Sequence, residues 1–127
     1  MLTKVVIFLT CLCLTQSLIK CPIKYLIRPC VCYPDTEEVH CIGNTINDKN
    51  LAKIGFHLKY SFNRKFNLLF ISNTNITEIK SDLFPIFKFK SIFLNKNINL
   101  RTIDTKNMKK GIIKNLIIGN QSNITFT

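Results

Sequence analysis

The chain has 127 residues, 46% of them hydrophobic and 20% charged, with a formal net charge of +11. That length has room for one domain, and the apolar content excludes an intrinsically disordered chain. The charge favours anionic surfaces such as sulfated glycans, phosphate backbones or acidic proteins without choosing among them, and a compositional bias that also supplies 19 isoleucines and 14 asparagines accounts for it equally well.

At the N-terminus, Lys4 precedes the apolar run VVIFLTCLCL over residues 5–14, followed by Thr15, Gln16 and Ser17. An apolar core of this length with small residues behind it predicts a secretory signal peptide over residues 1–17, cleaved after Ser17. The run is too short for a spanning helix, which needs about 20 apolar residues, and no second candidate follows. The expected location is therefore extracellular. Cleavage removes Lys4, Cys11 and Cys13, so that 17 basic residues face 7 acidic ones, a net +10, and four cysteines remain. An even count in an oxidising compartment predicts two disulfides.

The four cysteines lie in CPIKYLIRPCVCYPDTEEVHC, with eight residues between Cys21 and Cys30, one between Cys30 and Cys32, and eight between Cys32 and Cys41. Cys30 and Cys32 are too close to bridge each other without strain, so each pairs with Cys21 or Cys41. Two connectivities remain open; Cys21 with Cys32 and Cys30 with Cys41 is the favoured one. A zinc site from the same thiolates is disfavoured by the CxC pair and the secretory context.

Downstream, apolar pairs recur: Leu69 and Ile71, Ile92 and Leu94, Leu116 and Ile118, at steps of 23 and 24 residues. Each pair is the inward half of a short strand, where alternate residues face one side. An asparagine and an aliphatic residue follow each time: Asn75 with Ile76, Asn99 with Leu100, Asn123 with Ile124. A further aliphatic comes three residues on, at Ile79 and Ile103. Alternation points these asparagines outward. Asn75 and Asn123 head N-glycosylation sequons, and Asn120 with Gln121 and Ser122 forms a third. Between the strands, residues 47–66 fit a short helical or irregular arc with Leu51, Ile54 and Phe56 turned inward and its lysines solvated. In residues 81–89, Leu83, Phe84 and Phe87 are expected in the core.

These residues resemble the leucine-rich repeat. Its pattern LxxLxLxxNxL maps onto FNLLFISNTNI over residues 66–76, with Thr74 where asparagine is usual. FKSIFLNKNINL over residues 89–100 places Asn97 there, and IKNLIIGNQSNI over residues 113–124 places Gln121 there. VHCIGNTI over residues 39–46 is similar to a degenerate first repeat, with Asn44 at the ladder position, and the cysteine cluster before it is similar to the disulfide cap of extracellular members. Within the family the chain is most similar to short, secreted, isoleucine- and asparagine-rich proteins of arthropods. The resemblance implies an α/β solenoid with short parallel strands on a concave face and an irregular or short-helical convex side. It divides the mature chain into a cap with a degenerate first repeat at 18–60 and about three repeats at 61–127, with no C-terminal cap, for which a fragment of a longer protein is the favoured explanation over a short product that dimerises through its open edge or a last coil that frays.

Such a scaffold implies binding by the residues of the concave face. Here these are Asn67, Leu68, Phe70, Ser72 and Asn73; Lys90, Ser91, Phe93, Asn95 and Lys96; Lys114, Asn115, Ile117 and Gly119. Phe70, Phe93 and Ile117 form an apolar stripe flanked by Lys90 and Lys114, the composition of a protein-binding surface. Catalysis has little support. His40 and His57 are expected at the surface with no nucleophile in a fitting spacing, and Glu37 with Glu38 reads as a polar turn. No cofactor, metal or nucleic-acid partner is expected. The expected function is non-catalytic binding of a protein ligand or receptor. The alternatives are a small basic disulfide protein acting on anionic membranes or glycans, and a non-catalytic subunit of a secreted enzyme.

Overall fold

The computed structural model describes residues 20–61, 65–106, 113–120 and 123–127. The expected signal peptide, Arg64, Gln121 and Ser122 lie outside the described residues. The elements are β1 (Val31–Tyr33), β2 (Glu38–Ile42), α1 (Asp48–Lys59), β3 (Phe66–Ser72), β4 (Glu78–Ile79), β5 (Phe89–Asn95), β6 (Thr102–Ile103), β7 (Asn115–Ile118) and β8 (Thr125–Phe126), with short 3-10 turns at Lys24–Leu26 and Ile86–Lys88.

Two sheets organise them. The larger has the order β1-β2-β3-β5-β7 and the smaller β4-β6-β8. β1 pairs antiparallel with β2, and the other pairings are parallel. The register lines up one inner row as Val39, Leu69, Ile92 and Leu116 and a second as Cys41, Ile71, Leu94 and Ile118. Those of β2, β3 and β5 are buried, because alternation turns them all to the one face that the connections and the smaller sheet cover. Ile79 and Ile103 of the smaller sheet, with Ile46, Ile76 and Leu100 from the connections, close the same core. At its lower end Phe66 stacks on Phe89 at 5.1 Å between ring centroids, with Phe84 6.3 Å from Phe89.

The chain leaves β2, β3 and β5 through a tight bend at equivalent positions. Gly43, Asn73 and Lys96 all have positive φ, at 123°, 56° and 55°, and each donates its backbone N–H sideways, to the carbonyls of Ser72, Asn95 and Asn120. The left-handed conformation turns the backbone sharply enough to bring the next residue inward, at little cost to Gly or Asn and more to Lys. That next residue is Thr74 or Asn97, both buried. The Asn97 carboxamide oxygen accepts from the Thr74 N–H at 3.1 Å and the Thr74 hydroxyl at 2.6 Å, and its Nδ2 donates to the Ile71 carbonyl at 3.0 Å. The side chain thus satisfies the Thr74 N–H, which the bend withdraws from the ladder, and fastens it to the Ile71 carbonyl of β3. Asn44, expected to point inward likewise, is exposed; its carbonyl instead accepts from the Asn75 Nδ2 at 2.7 Å.

α1 starts at a reciprocal cap between Asn47 and Asn50. Asp48 in its first turn accepts from the Thr77 N–H at 2.8 Å and from the Thr77 hydroxyl, tying the helix to the chain before β4. At the other end the Lys88 amine donates to the carbonyls of Leu58 and Lys59 at 2.9 and 2.7 Å, placing a cation where the helix leaves unpaired oxygens. Leu51, Ile54, Gly55 and Leu58 face the core. Phe56, expected inside, is 57% exposed: it lies off the stripe of i, i+3, i+4 and i+7 positions that Leu51, Ile54, Gly55 and Leu58 occupy. Leu83 is also exposed whereas Phe84 is buried, because the loop comes against the helix through its backbone; a Cβ on Gly55 would stand 2.2 Å from the Leu83 carbonyl oxygen.

Two disulfides close the N-terminal region, Cys21–Cys32 and Cys30–Cys41. Cys30 and Cys41 are buried in the main core, so the second bridge fastens the segment before β1 to an inner position of β2.

Candidate functional site

The outer face of the larger sheet presents a row of side chains running across all five strands. His40, Phe70, Phe93 and Ile117 are register partners on β2, β3, β5 and β7. β1 extends the row, since the Tyr33 ring meets the His40 ring edge-on at 4.9 Å. The His40 and Phe70 centroids are 5.6 Å apart, and Phe70 and Phe93 stack at 5.2 Å with an 18° interplanar angle. Parallel pairing holds equivalent residues side by side, and stacked aromatic neighbours on one sheet face stiffen each other. Tyr33 and Ile117 at the two ends are 45% and 51% exposed, while Phe70, Phe93 and His40 are half-buried by their neighbours.

His40 is more than a surface residue. Its Nε2 lies 3.3 Å from the Glu38 Oε1, and the side-chain hydrogen bond from Thr36 and then the one from His40 hold the Glu38 carboxyl below the usual carboxylate range. The pair fixes the imidazole between two aromatic rings. Neither Tyr33 nor His40 is among the binding residues expected from the sequence, although alternation through Val39-His40-Cys41 puts His40 opposite two inward residues.

Below the row, at the start of the strands, Lys90 and Lys114 are lateral neighbours joined by a 2.8 Å bond from the Lys114 N–H to the Lys90 carbonyl. With Glu37, Lys65 and Asn67 they border a groove of about 410 Å³. Above the row, Ser72 is only 3% exposed, against the expectation that it faces the open side: the left-handed bend at Asn73 folds that residue's amide over it, with Nδ2 3.0 Å from the Ser72 hydroxyl. Asn95 is half-buried, and its side-chain oxygen accepts from the Asn120 N–H at 3.2 Å. Gly119 beside it leaves the space for that amide, since a Cβ there would meet the Asn95 Oδ1 at 2.6 Å.

The sequon asparagines Asn75, Asn120 and Asn123 are exposed. Asn75 and Asn99 lie in line, with the Asn99 Nδ2 3.5 Å from the Asn75 Oδ1. Among the described residues no trio of His, Cys, Asp or Glu could hold a metal ion, and no helix is long and apolar enough to cross a membrane. No protein-family model matches the chain, and no curated protein or solved structure matches it.

Proposed function

We propose that this chain is a secreted leucine-rich-repeat module that binds a protein ligand or receptor through the outer face of its larger sheet, without catalysis of its own. The observation that carries the reading is the row Tyr33, His40, Phe70, Phe93 and Ile117: one continuous apolar and aromatic strip, partly exposed, on a sheet held by buried side chains on its other face. Rigid aromatic anchors with a polar rim lose little conformational freedom on contact, which is what a binding face needs. Here Lys90 and Lys114 stand on one side of the strip and Asn95 on the other. The repeat reading rests on the parallel register of the inner rows, the matched left-handed bends and the buried side-chain amide of Asn97. Two disulfides are consistent with the extracellular location that the N-terminal run suggests.

The test places a photo-crosslinking amino acid at Phe93 and, in a second protein, at exposed Ile98. A protein captured from extracellular fluid at Phe93 and not at Ile98, competed by unlabelled wild type but not by Phe70→Ala, supports the reading. Equal capture at both positions, or competition by Phe70→Ala as strong as by wild type, sinks it.

A second reading has its own observation. Lys90 and Lys114, like charges on adjacent strands, form no ion pair with a carboxylate among the described residues, so a sulfated glycan in the neighbouring groove would relieve their repulsion. It predicts affinity that falls steeply with salt, whereas contact through the strip is less sensitive.

A further inference from the structure

The solvent side of α1 is not the polar surface its neighbours would suggest. With Leu51, Ile54 and Leu58 turned to the core, the helix exposes Phe56 and, one turn on, Tyr60, which is 68% exposed and whose ring lies 5.0 Å from the Phe56 ring. On the Ala52 side of the helix, Leu83 is exposed too, on the loop that lies against Gly55. Lysines surround them. Lys49 and Lys53 are exposed on the helix, and the Lys59 ammonium stands 5.8 Å from the centre of the Tyr60 ring. The helix has one carboxylate, Asp48, already bonded to Thr77; exposed Asp82 precedes Leu83 in the chain, and Glu78 is paired with Lys80 at 3.3 Å.

We propose that this helix face docks on a lipid bilayer exposing anionic headgroups, a function separate from the protein-binding face and independent of it. Aromatic rings with wet edges settle at the boundary between acyl chains and headgroups, and lysine stems reach outward so that ammoniums stay among the phosphates. A protein partner fits the patch less well, because the centres of protein interfaces are depleted in lysine. A sulfated glycan would use the lysines and leave Phe56 and Tyr60 in water. The inner face of α1 and the inner rows of the larger sheet share one core, so the docking face and the aromatic row point away from that core in different directions.

The chain contains no tryptophan, so Phe56→Trp installs a single reporter at the centre of the patch. With vesicles of phosphatidylcholine and about 30% phosphatidylserine, its emission shifts to the blue and is quenched by brominated acyl chains, and vesicles of phosphatidylcholine alone produce neither. Lys49→Glu with Lys53→Glu weakens partitioning by about thirtyfold or more, while Lys90→Glu with Lys114→Glu leaves it within about twofold. These substitutions are all at exposed positions, so circular dichroism melts stay close to wild type. Binding without a blue shift overturns the proposal in favour of headgroup or glycan electrostatics. Loss of binding in the Lys90 and Lys114 variant alone overturns it in favour of the groove. No partitioning at low salt overturns it outright. None of these results bears on capture at Phe93, so the two readings fail separately.

Discussion

Replacing Asn97 with alanine is the sharpest test of how the bends are held. The Asn97 carboxamide is fully buried and bonded to the Thr74 N–H, the Thr74 hydroxyl and the Ile71 carbonyl. Truncation orphans the Thr74 N–H in the core and takes one donor from the Ile71 carbonyl of β3, while the hydroxyl can rotate toward another acceptor. An orphaned buried group costs about 1–3 kcal/mol and a lost hydrogen bond about 0.5–1.5 kcal/mol, so the variant loses about 2–4 kcal/mol, a large share of the stability of a small domain. Its Tm falls by about 8 °C or more. Asn99, two residues on, is exposed and its amide reaches only Asn75 at 3.5 Å, so Asn99→Ala stays within about 0.5 kcal/mol of wild type. Urea unfolding of the three proteins, read by circular dichroism with the disulfides intact, measures both values. A loss below about 1 kcal/mol for Asn97→Ala, or equal losses for the two variants, refutes the claim that this amide holds the bend.

Other outcomes follow from the same packing. Gly55→Ala puts a methyl group against the Leu83 backbone, and overpacking of about 1–3 kcal/mol outweighs the gain of about 1 kcal/mol in helix propensity, so the Tm falls; a rise would show that the loop yields freely. Ser81 buries a hydroxyl without a partner among the described residues, so Ser81→Ala is neutral or stabilises by up to about 1 kcal/mol in the same urea assay. Replacing Cys30 and Cys41 with alanine costs about 3 kcal/mol, and mild reductant opens the less buried Cys21–Cys32 bridge first, as peptide mapping with a thiol label will report. Glu38 has a folded value below its unfolded one, so its contribution to stability is complete above the unfolded value and disappears as pH falls through the folded value. Carboxyl NMR titration should show Glu38 moving up toward the ordinary range in Thr36→Val; no movement would remove the hydroxyl as the main cause.

The sequence made the inner rows readable because a buried strand declares itself by alternation. Leu69 with Ile71 and Ile92 with Leu94 are spaced so that lateral pairing needs no gap within a strand. The bends were harder to read. Gly43 and Asn73 are residue types that tolerate positive φ, but Lys96 at 55° carries no such signal, and only its place one step past β5 brings it into line with them. Phe56 misled because a large aromatic beside Ile54 suggests core, while helical spacing gives the inward place to Gly55, a residue with no side chain to notice. Leu83 misled for the related reason that the loop packs by its backbone. Tyr33 joins the aromatic row through the one antiparallel pairing of the larger sheet, so no residue at the recurring interval points to it. His40 was within reach: it stands between two inward residues, and its register with Phe70 extends the stripe by one strand.

The central claim is that the outer row of the larger sheet is where a partner binds. Amide hydrogen exchange on the protein with and without the partner captured at Phe93 tests it most directly. Protection gathered in peptides covering Phe66–Ser72 and Phe89–Asn95, with Asp48–Lys59 unchanged, is the predicted result. Protection confined to Asp48–Lys59, with β3 and β5 exchanging as in the free protein, would contradict it.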